Sequence, residues 1–155
     1  MTASECAREI TDSLLGYLGF VVHLEENPVP EGLSFQIFTA DGDLLIGRDG
    51  ERLEDLQYLV NRLLVHQMPG APRVRLDIAH YRAIKEDQML EHVRQVADRV
   101  RRTGKPMKLP PMNSYQRRLV HNAFKDDAGI KTWSPDDNIR LKRITLMRRT
   151  AGSGK

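Results

Sequence analysis

The period of the apolar positions changes several times along the chain, and each change marks a predicted element. Ala7, Ile10, Leu14 and Leu18 recur at intervals of three or four, which predicts a helix over residues 3–18 closed by Gly19. Phe20, Val21 and Val22 predict a strand, and Asn27-Pro28-Val29-Pro30-Glu31-Gly32 a turn. Leu33, Phe35 and Ile37 alternate with Ser34, Gln36 and Phe38 and predict a second strand with one well-buried face. Asp41-Gly42 permits a turn before the apolar run Leu44-Leu45-Ile46. A helix from about Gly50 to Gln67 carries the stripe Leu53, Leu56, Leu59 or Val60, and Leu63. Pro69 to Pro72 ends it, and Val74, Leu76 and Ile78 predict a third strand.

The second half repeats this logic in a smaller compass. Met89, Val93, Val96 and Val100 predict a helix from Tyr81 to Arg102 that connects the halves, broken at Thr103-Gly104-Lys105-Pro106. Lys108-Leu109-Pro110-Pro111 is extended by proline geometry. Asn113 or Ser114 can cap a helix reaching about Asp126, with Leu119, Ala123 and Tyr115 inward and Val120 and Phe124 widening the stripe. Strands are expected at Ile130–Trp133 and Leu141–Met147 around a Ser134 to Asn138 turn. The fold class is therefore α+β, with helices on one side of a small sheet in the first half. Domains are expected at residues 1–80 and 81–150, the latter including the connector helix, and 151–155 form a tail that cannot fold alone.

Charge divides the chain more sharply than its net +3 suggests. Residues 1–79 hold 6 Lys/Arg against 13 Asp/Glu, a net of −7, and residues 80–155 hold 18 against 8, a net of +10. Attraction for a polyanion therefore belongs to the second half, and the first can contribute only a local contact. Its acidic remainder suits a basic partner instead. The single cysteine, Cys6, excludes an intramolecular disulfide or a cysteine-based zinc cluster and fits a reducing compartment. The opening residues lack a secretory signal pattern, and no run approaches the roughly 20 apolar residues of a membrane span. A cytoplasmic chain without membrane insertion is the expectation.

Two short patterns carry the candidate chemistry. Gly47-Arg48-Asp49-Gly50 offers a tight turn at a helix start where a phosphate chain could come close, with Arg48 as its cation. Asp49 opposes that attraction, and a plain turn explains the four residues by themselves at least as well. Arg117 and His121, four residues apart, project from one side of a helix, with Arg118, His121 and Lys125 on an adjoining side. Such a face can hold a sugar-phosphate backbone, although a solvated basic face is the commoner meaning of that spacing. Trp133 and Tyr115 could stack on bases or anchor a core.

The segment Leu44-Leu45-Ile46-Gly47-Arg48-Asp49-Gly50, followed by Leu53-Glu54-Asp55-Leu56-Gln57-Tyr58-Leu59-Val60-Asn61, resembles the type II KH domain of the Jag family. Pro111-Met112-Asn113-Ser114-Tyr115-Gln116-Arg117-Arg118-Leu119-Val120-His121 resembles the Arg-x-x-x-His single-strand-binding domain that follows it in that family. The resemblance spans about residues 3–149 and leaves no room for the further N-terminal module of some relatives. It implies a type II-like KH domain joined through a long helix to a small α+β Arg-x-x-x-His domain. It further implies that Gly47, Arg48 and Gly50 form one nucleic-acid contact and that Ile46, Leu53 and Leu56 line an apolar groove, a role that competes with plain core packing. Arg117, Arg118, His121 and the Lys142-Arg143 pair of a late strand form the other contact, joined by Lys125 from the helix spacing. Two departures stand out: Asp49 replaces a usual basic residue, and Ser134-Pro135-Asp136 lacks the family's Ser-x-Gly glycine.

The expected ligand is single-stranded or locally unpaired RNA, with single-stranded DNA as an alternative and a second KH-domain protein as a partner implied by the family. A regulatory role in RNA metabolism tied to cell division or envelope biology follows from the same resemblance. A third reading makes the acidic half a docking module for another protein. Neither cofactor nor metal is expected. The five histidines have no zinc-ligand spacing, and Gly152-Ser153-Gly154-Lys155 lacks the residues of a phosphate loop. Enzyme chemistry is the least supported class.

Overall fold

The computed structural model describes residues 1–150, so the 151–155 tail lies outside the described residues. The fold is α+β and separates into two compact units, one from Met1 to Ala83 and one from Ile84 onward. In the first unit α1 (Ala3–Tyr17) begins at a reciprocal cap: Thr2 Oγ1 accepts from Glu5 N–H and Thr2 N–H donates to the Glu5 carboxylate. Then come β1 (His23–Asn27), β2 (Leu33–Phe38), the short α2 (Gly42–Ile46), a single 3-10 turn at Arg48–Gly50, α3 (Glu51–Gln67) and β3 (Val74–Ile78). The sheet order is β1-β2-β3, with β1 antiparallel and β3 parallel to β2.

The first strand lies at His23–Asn27 and not at Phe20–Val22. An edge strand needs only one buried side chain, here Leu24, so its sequence is polar and the apolar residues before it form the approach from α1. The apolar run Leu44-Leu45-Ile46, to which periodicity assigns no element, is the end of α2 and buries only Leu45 fully. In α3 the core stripe is Leu53, Leu56, Val60 and Leu64, and Leu59 and Leu63 face outward. On α1, Leu15 rather than Leu18 completes the buried face. Phe35, Ile37, Leu76 and Ile78 complete the core these helices cover.

The free edge of β3 is closed by side chains of α3. Asn61 accepts from Val74 N–H and donates to Val74 C=O at 2.8 Å each, and Gln57 accepts from Leu76 N–H at 2.9 Å. Two amides thus take the place of a neighbouring strand and block sheet extension.

α4 (Tyr81–Thr103) runs from the first unit into the second, burying Val93, Ala97 and Val100 among the second unit's core. Its first turn is fastened within the first unit, where the Asp77 carboxylate accepts from Arg82 N–H and from the Gln36 amide. The second unit continues with β4 (Met107–Lys108), α5 (Ser114–Phe124), β5 (Ile130–Trp133) and β6 (Thr145–Arg148), an antiparallel sheet in the order β4-β6-β5. Asn113 caps α5 in a second reciprocal box with Gln116. The buried stripe of α5 is Val120 and Phe124; Ala123 and Tyr115 are exposed and Leu119 is half-buried, one position off the expected inward set. The last strand starts at Thr145, and the backbone of Lys142 before it pairs with Met112 in an isolated bridge.

Candidate nucleic-acid interface

The glycine turn of the first unit is built from three departures from ordinary backbone. Gly47 adopts φ 69° and ψ −170°, Asp49 φ 53° and Gly50 φ 81°. At Gly47 a Cβ would stand 2.7 Å from Arg52 Cγ, because the Arg52 stem crosses the turn to donate to Leu44 C=O at 2.9 Å. At Gly50 it would stand 3.2 Å from Tyr81 Cε1, so the second glycine is needed where the ring lies against the turn. Arg48 and Asp49 are exposed at the tip, and neither caps α3, whose N-cap is Gly50. Burial and then the Asp49 charge hold the Tyr81 hydroxyl above its ordinary pKa, opposed by Arg82.

The apolar groove expected beside this turn is absent in its proposed form. Leu53 and Leu56 are core side chains, and only Ile46 remains half-buried at the surface. The open cleft on α3, about 500 Å³, lies elsewhere on the helix and includes Glu54, Tyr58, Arg62, Val65 and Arg73.

On α5 the expected cationic residues divide into two groups. Arg117 and His121 flank the buried stripe and are half-buried, whereas Arg118 and Lys125 are exposed. The Arg117 guanidinium donates to Met112 C=O at 2.6 Å and to Arg140 C=O at 3.5 Å, tying the helix to the segments on either side of it. His121 Nδ1 lies 2.6 Å from Thr132 Oγ1 on β5. When that hydroxyl donates to Nδ1, the ring proton sits on Nε2 and can be offered to an acceptor. Burial, and then the positive charge of Arg117, hold the His121 pKa below its usual 6.5, so at neutral pH the ring is uncharged.

The late basic pair separates as well. Lys142 is pinned inward, its ammonium donating to Pro135 C=O at 3.0 Å and lying 3.4 Å from Asp137 Oδ1, with a side chain only 12% exposed. Arg143 is exposed but donates from Nε to Leu109 C=O at 2.8 Å. Neither lies on the strand expected to carry it, because Leu141–Ile144 precede β6. Charge-assisted bonds to carbonyls are among the stronger hydrogen bonds, so Arg117 and Lys142 hold loops in place whatever else they touch. The spacing of Arg117 and His121 pointed to the helix face. Nothing in sequence pointed to Thr132, Met112 or Pro135, since those contacts are made across the fold.

A helix and a three-stranded antiparallel sheet bringing an arginine and a histidine to one rim define the class of the second unit: residues 87–148 match the R-three-H domain, named for its Arg-x-x-x-His pair. Similar chains carry the same name, RNA-binding protein KhpB. That of Clostridium symbiosum is 31% identical over 128 residues, which is 82% of this chain and 58% of the relative. That of Bacillus subtilis is 33% identical over 94 residues, 59% of this chain and 45% of the relative, and that of Lactiplantibacillus plantarum is 29% identical over 136 residues, 85% and 42%. The chain carries an Arg-x-x-x-His domain and is a homologue of the KhpB proteins of the Jag family. It spans about half the length of these curated relatives. Among the described residues, no helix is long and apolar enough to cross a membrane.

Proposed function

We propose that this chain binds single-stranded or locally unpaired RNA without a covalent step, chiefly through α5 and more weakly through the Gly47–Gly50 turn. The observation that carries the reading is the cationic side of α5. Arg118 and Lys125 stand exposed, about two helical turns apart, beside a half-buried Arg117 and His121 whose bonds to Met112, Arg140 and Thr132 fix their positions. Preordered donors lose little freedom when they meet a phosphate, and the +10 half draws the polyanion in. The names of the relatives support RNA as the ligand.

The first unit is read as a type II-like KH domain. The order of helix, two antiparallel strands, short helix, glycine turn, helix and parallel strand supports this. Linking two modest grips raises the effective concentration for the second. In this reading the protein is a cytoplasmic, non-catalytic regulator of RNA metabolism linked to cell division or envelope biology, and a second KH-domain protein is among its partners. A second reading has the acidic unit docking a protein, favoured by the −7 charge of residues 1–79 and the exposed Asp49.

The test is fluorescence anisotropy of labelled RNA and DNA oligonucleotides at matched salt. Salt-sensitive RNA binding that is lost when Arg118 and Lys125 are both changed to glutamate supports the first reading. Saturable association with a protein partner and no oligonucleotide affinity supports the second.

A further inference from the structure

The sheet of the second unit has two faces, and its helices pack against only one. Directly opposed residues of antiparallel strands share a face, so the register sorts the side chains. Met107, Leu146 and Thr132 form one row across the three strands. This is the inner row: Leu146 is fully buried and Thr132 meets His121 of α5. Lys108, Thr145 and Trp133 form the next row on the opposite face, and Lys131 with Met147 adds a third. Lys108, Lys131 and Trp133 are exposed, the indole at 52%.

The chemistry of this face is specific. Lys108 and Trp133 stand two strand spacings apart, roughly 10 Å, and Lys131 lies two residues from Trp133, roughly 7 Å along the same strand. None of the three strands contains a carboxylate, since they read Met-Lys, Ile-Lys-Thr-Trp and Thr-Leu-Met-Arg. Arg143, whose stem leaves the chain next to the buried Ile144, adds a guanidinium at the Leu109 border. An exposed indole with one ammonium along its own strand and another across the sheet combines a π-face for a base with charges for the adjoining phosphates. A protein-docking face would gain little from ringing its aromatic anchor with lysines, whose desolvation costs free energy.

We propose that the outer face of the β4-β6-β5 sheet is a separate base-stacking platform, on which Trp133 stacks with one unpaired base while Lys108 and Lys131 hold the phosphates on either side. It rests on the reading of the chain as a single-strand binder but not on the exposed α5 cations, whose helix packs on the sheet's inner face through Val120 and Phe124. With both in use, a strand wraps around the edge of the unit from α5 to the open side of the sheet.

Trp133 is the only tryptophan of the chain, so its fluorescence reports this face and no other. The full chain is titrated with a twelve-nucleotide oligouridine RNA and a matching oligothymidine DNA, following tryptophan emission and, with labelled strands, anisotropy. The expected result is saturable quenching that tracks the anisotropy change. W133A should bind roughly tenfold more weakly, W133F close to wild type because the stack survives, and K108A/K131A several-fold more weakly with a shallower salt dependence. Circular dichroism verifies that these surface variants keep the fold. Equal quenching by both strands assigns recognition to base and phosphate; quenching by RNA alone adds the ribose hydroxyl. Anisotropy that rises while tryptophan emission stays constant, or a folded W133A that binds like wild type, overturns the platform and leaves the α5 reading standing. If neither strand changes the anisotropy, both readings fall.

Discussion

Both units fasten segments around a small sheet with side-chain bonds to backbone, the first also through Arg8, Arg52 and Arg82 on the Leu24, Leu44 and Leu76 carbonyls, but they differ at the sheet edge and in net charge. The first is acidic and closes its exposed sheet edge with neutral amides, Asn61 and Gln57 standing in for a strand. The second is basic and ties its segments with cations aimed at carbonyls: Arg117 to Met112, Lys142 to Pro135, Arg143 to Leu109 and Arg149 to Ile130. The difference teaches that positive charge in the second unit is not a direct measure of binding surface. Part of the +10 half is structural, and the cations that can meet a ligand most freely are those at exposed positions, Arg118, Lys125, Lys108 and Lys131 among them.

That contrast can be broken experimentally, and the largest effect should come from α5. Changing Arg118 and Lys125 together to glutamate should weaken RNA binding at low salt by roughly thirtyfold or more, with little loss of fold, because it reverses two phosphate-facing charges. Arg117→Ala should weaken binding too, but should also cost about 1–3 kcal/mol of stability in the second unit by removing charge-assisted bonds to the Met112 and Arg140 carbonyls, of which Met112 keeps only the Lys142 N–H. Amide hydrogen exchange along α5 and Met112 separates the two losses; unchanged exchange in that variant would deny Arg117 its structural role.

In the first unit, Asn61→Leu should leave Val74 N–H and C=O unpaired and cost about 1–3 kcal/mol, seen as faster exchange across β3, with RNA affinity untouched. Arg48→Asp should lower RNA affinity only a few-fold, because Asp49 already offsets the turn's charge. An equal or larger loss than the α5 variant gives would invert the ranking of the two units.

The smallest effect is in pH. The pKa of His121 lies below its unfolded value of 6.5, so the unfolded chain binds the proton more readily. The stability it lends the second unit is complete above about pH 6.5 and is lost as pH falls toward the lowered native pKa. RNA affinity should move the other way over the same window, since a protonated ring adds a charge for phosphate. Hydrogen exchange and anisotropy between about pH 7.5 and 5.5 check both signs, and H121Q should flatten both.

Much of this architecture was legible from periodicity alone. The helix that follows the glycine turn, the strands at Leu33–Phe38, Val74–Ile78 and Ile130–Trp133, and the asparagine cap of α5 follow from pattern and cap chemistry. The misses share a physical cause. His23–Asn27 is an edge strand whose pairing comes from β2 and not from its own hydrophobicity. Leu64 and not Leu63 closes the α3 stripe, and Val120 and Phe124 without Leu119 and Ala123 form that of α5, because adjacent apolar residues allow two faces and only the packed partner selects one. Lys142 looked like a ligand contact because spacing cannot show that its ammonium turns back onto Pro135 and Asp137. The same blindness hid Lys108 and Lys131, which become neighbours of Trp133 only through strand register.

The proposed function stands on exposed cations at α5 holding an unpaired strand. The most direct measurement is the affinity of the full chain for a labelled single-stranded RNA as a function of salt, beside the R118E/K125E variant. Binding should be tight at low salt and fall linearly in log–log form, with a markedly shallower slope for the variant. Equal slopes and equal affinities for the two proteins would contradict that role of the α5 cations.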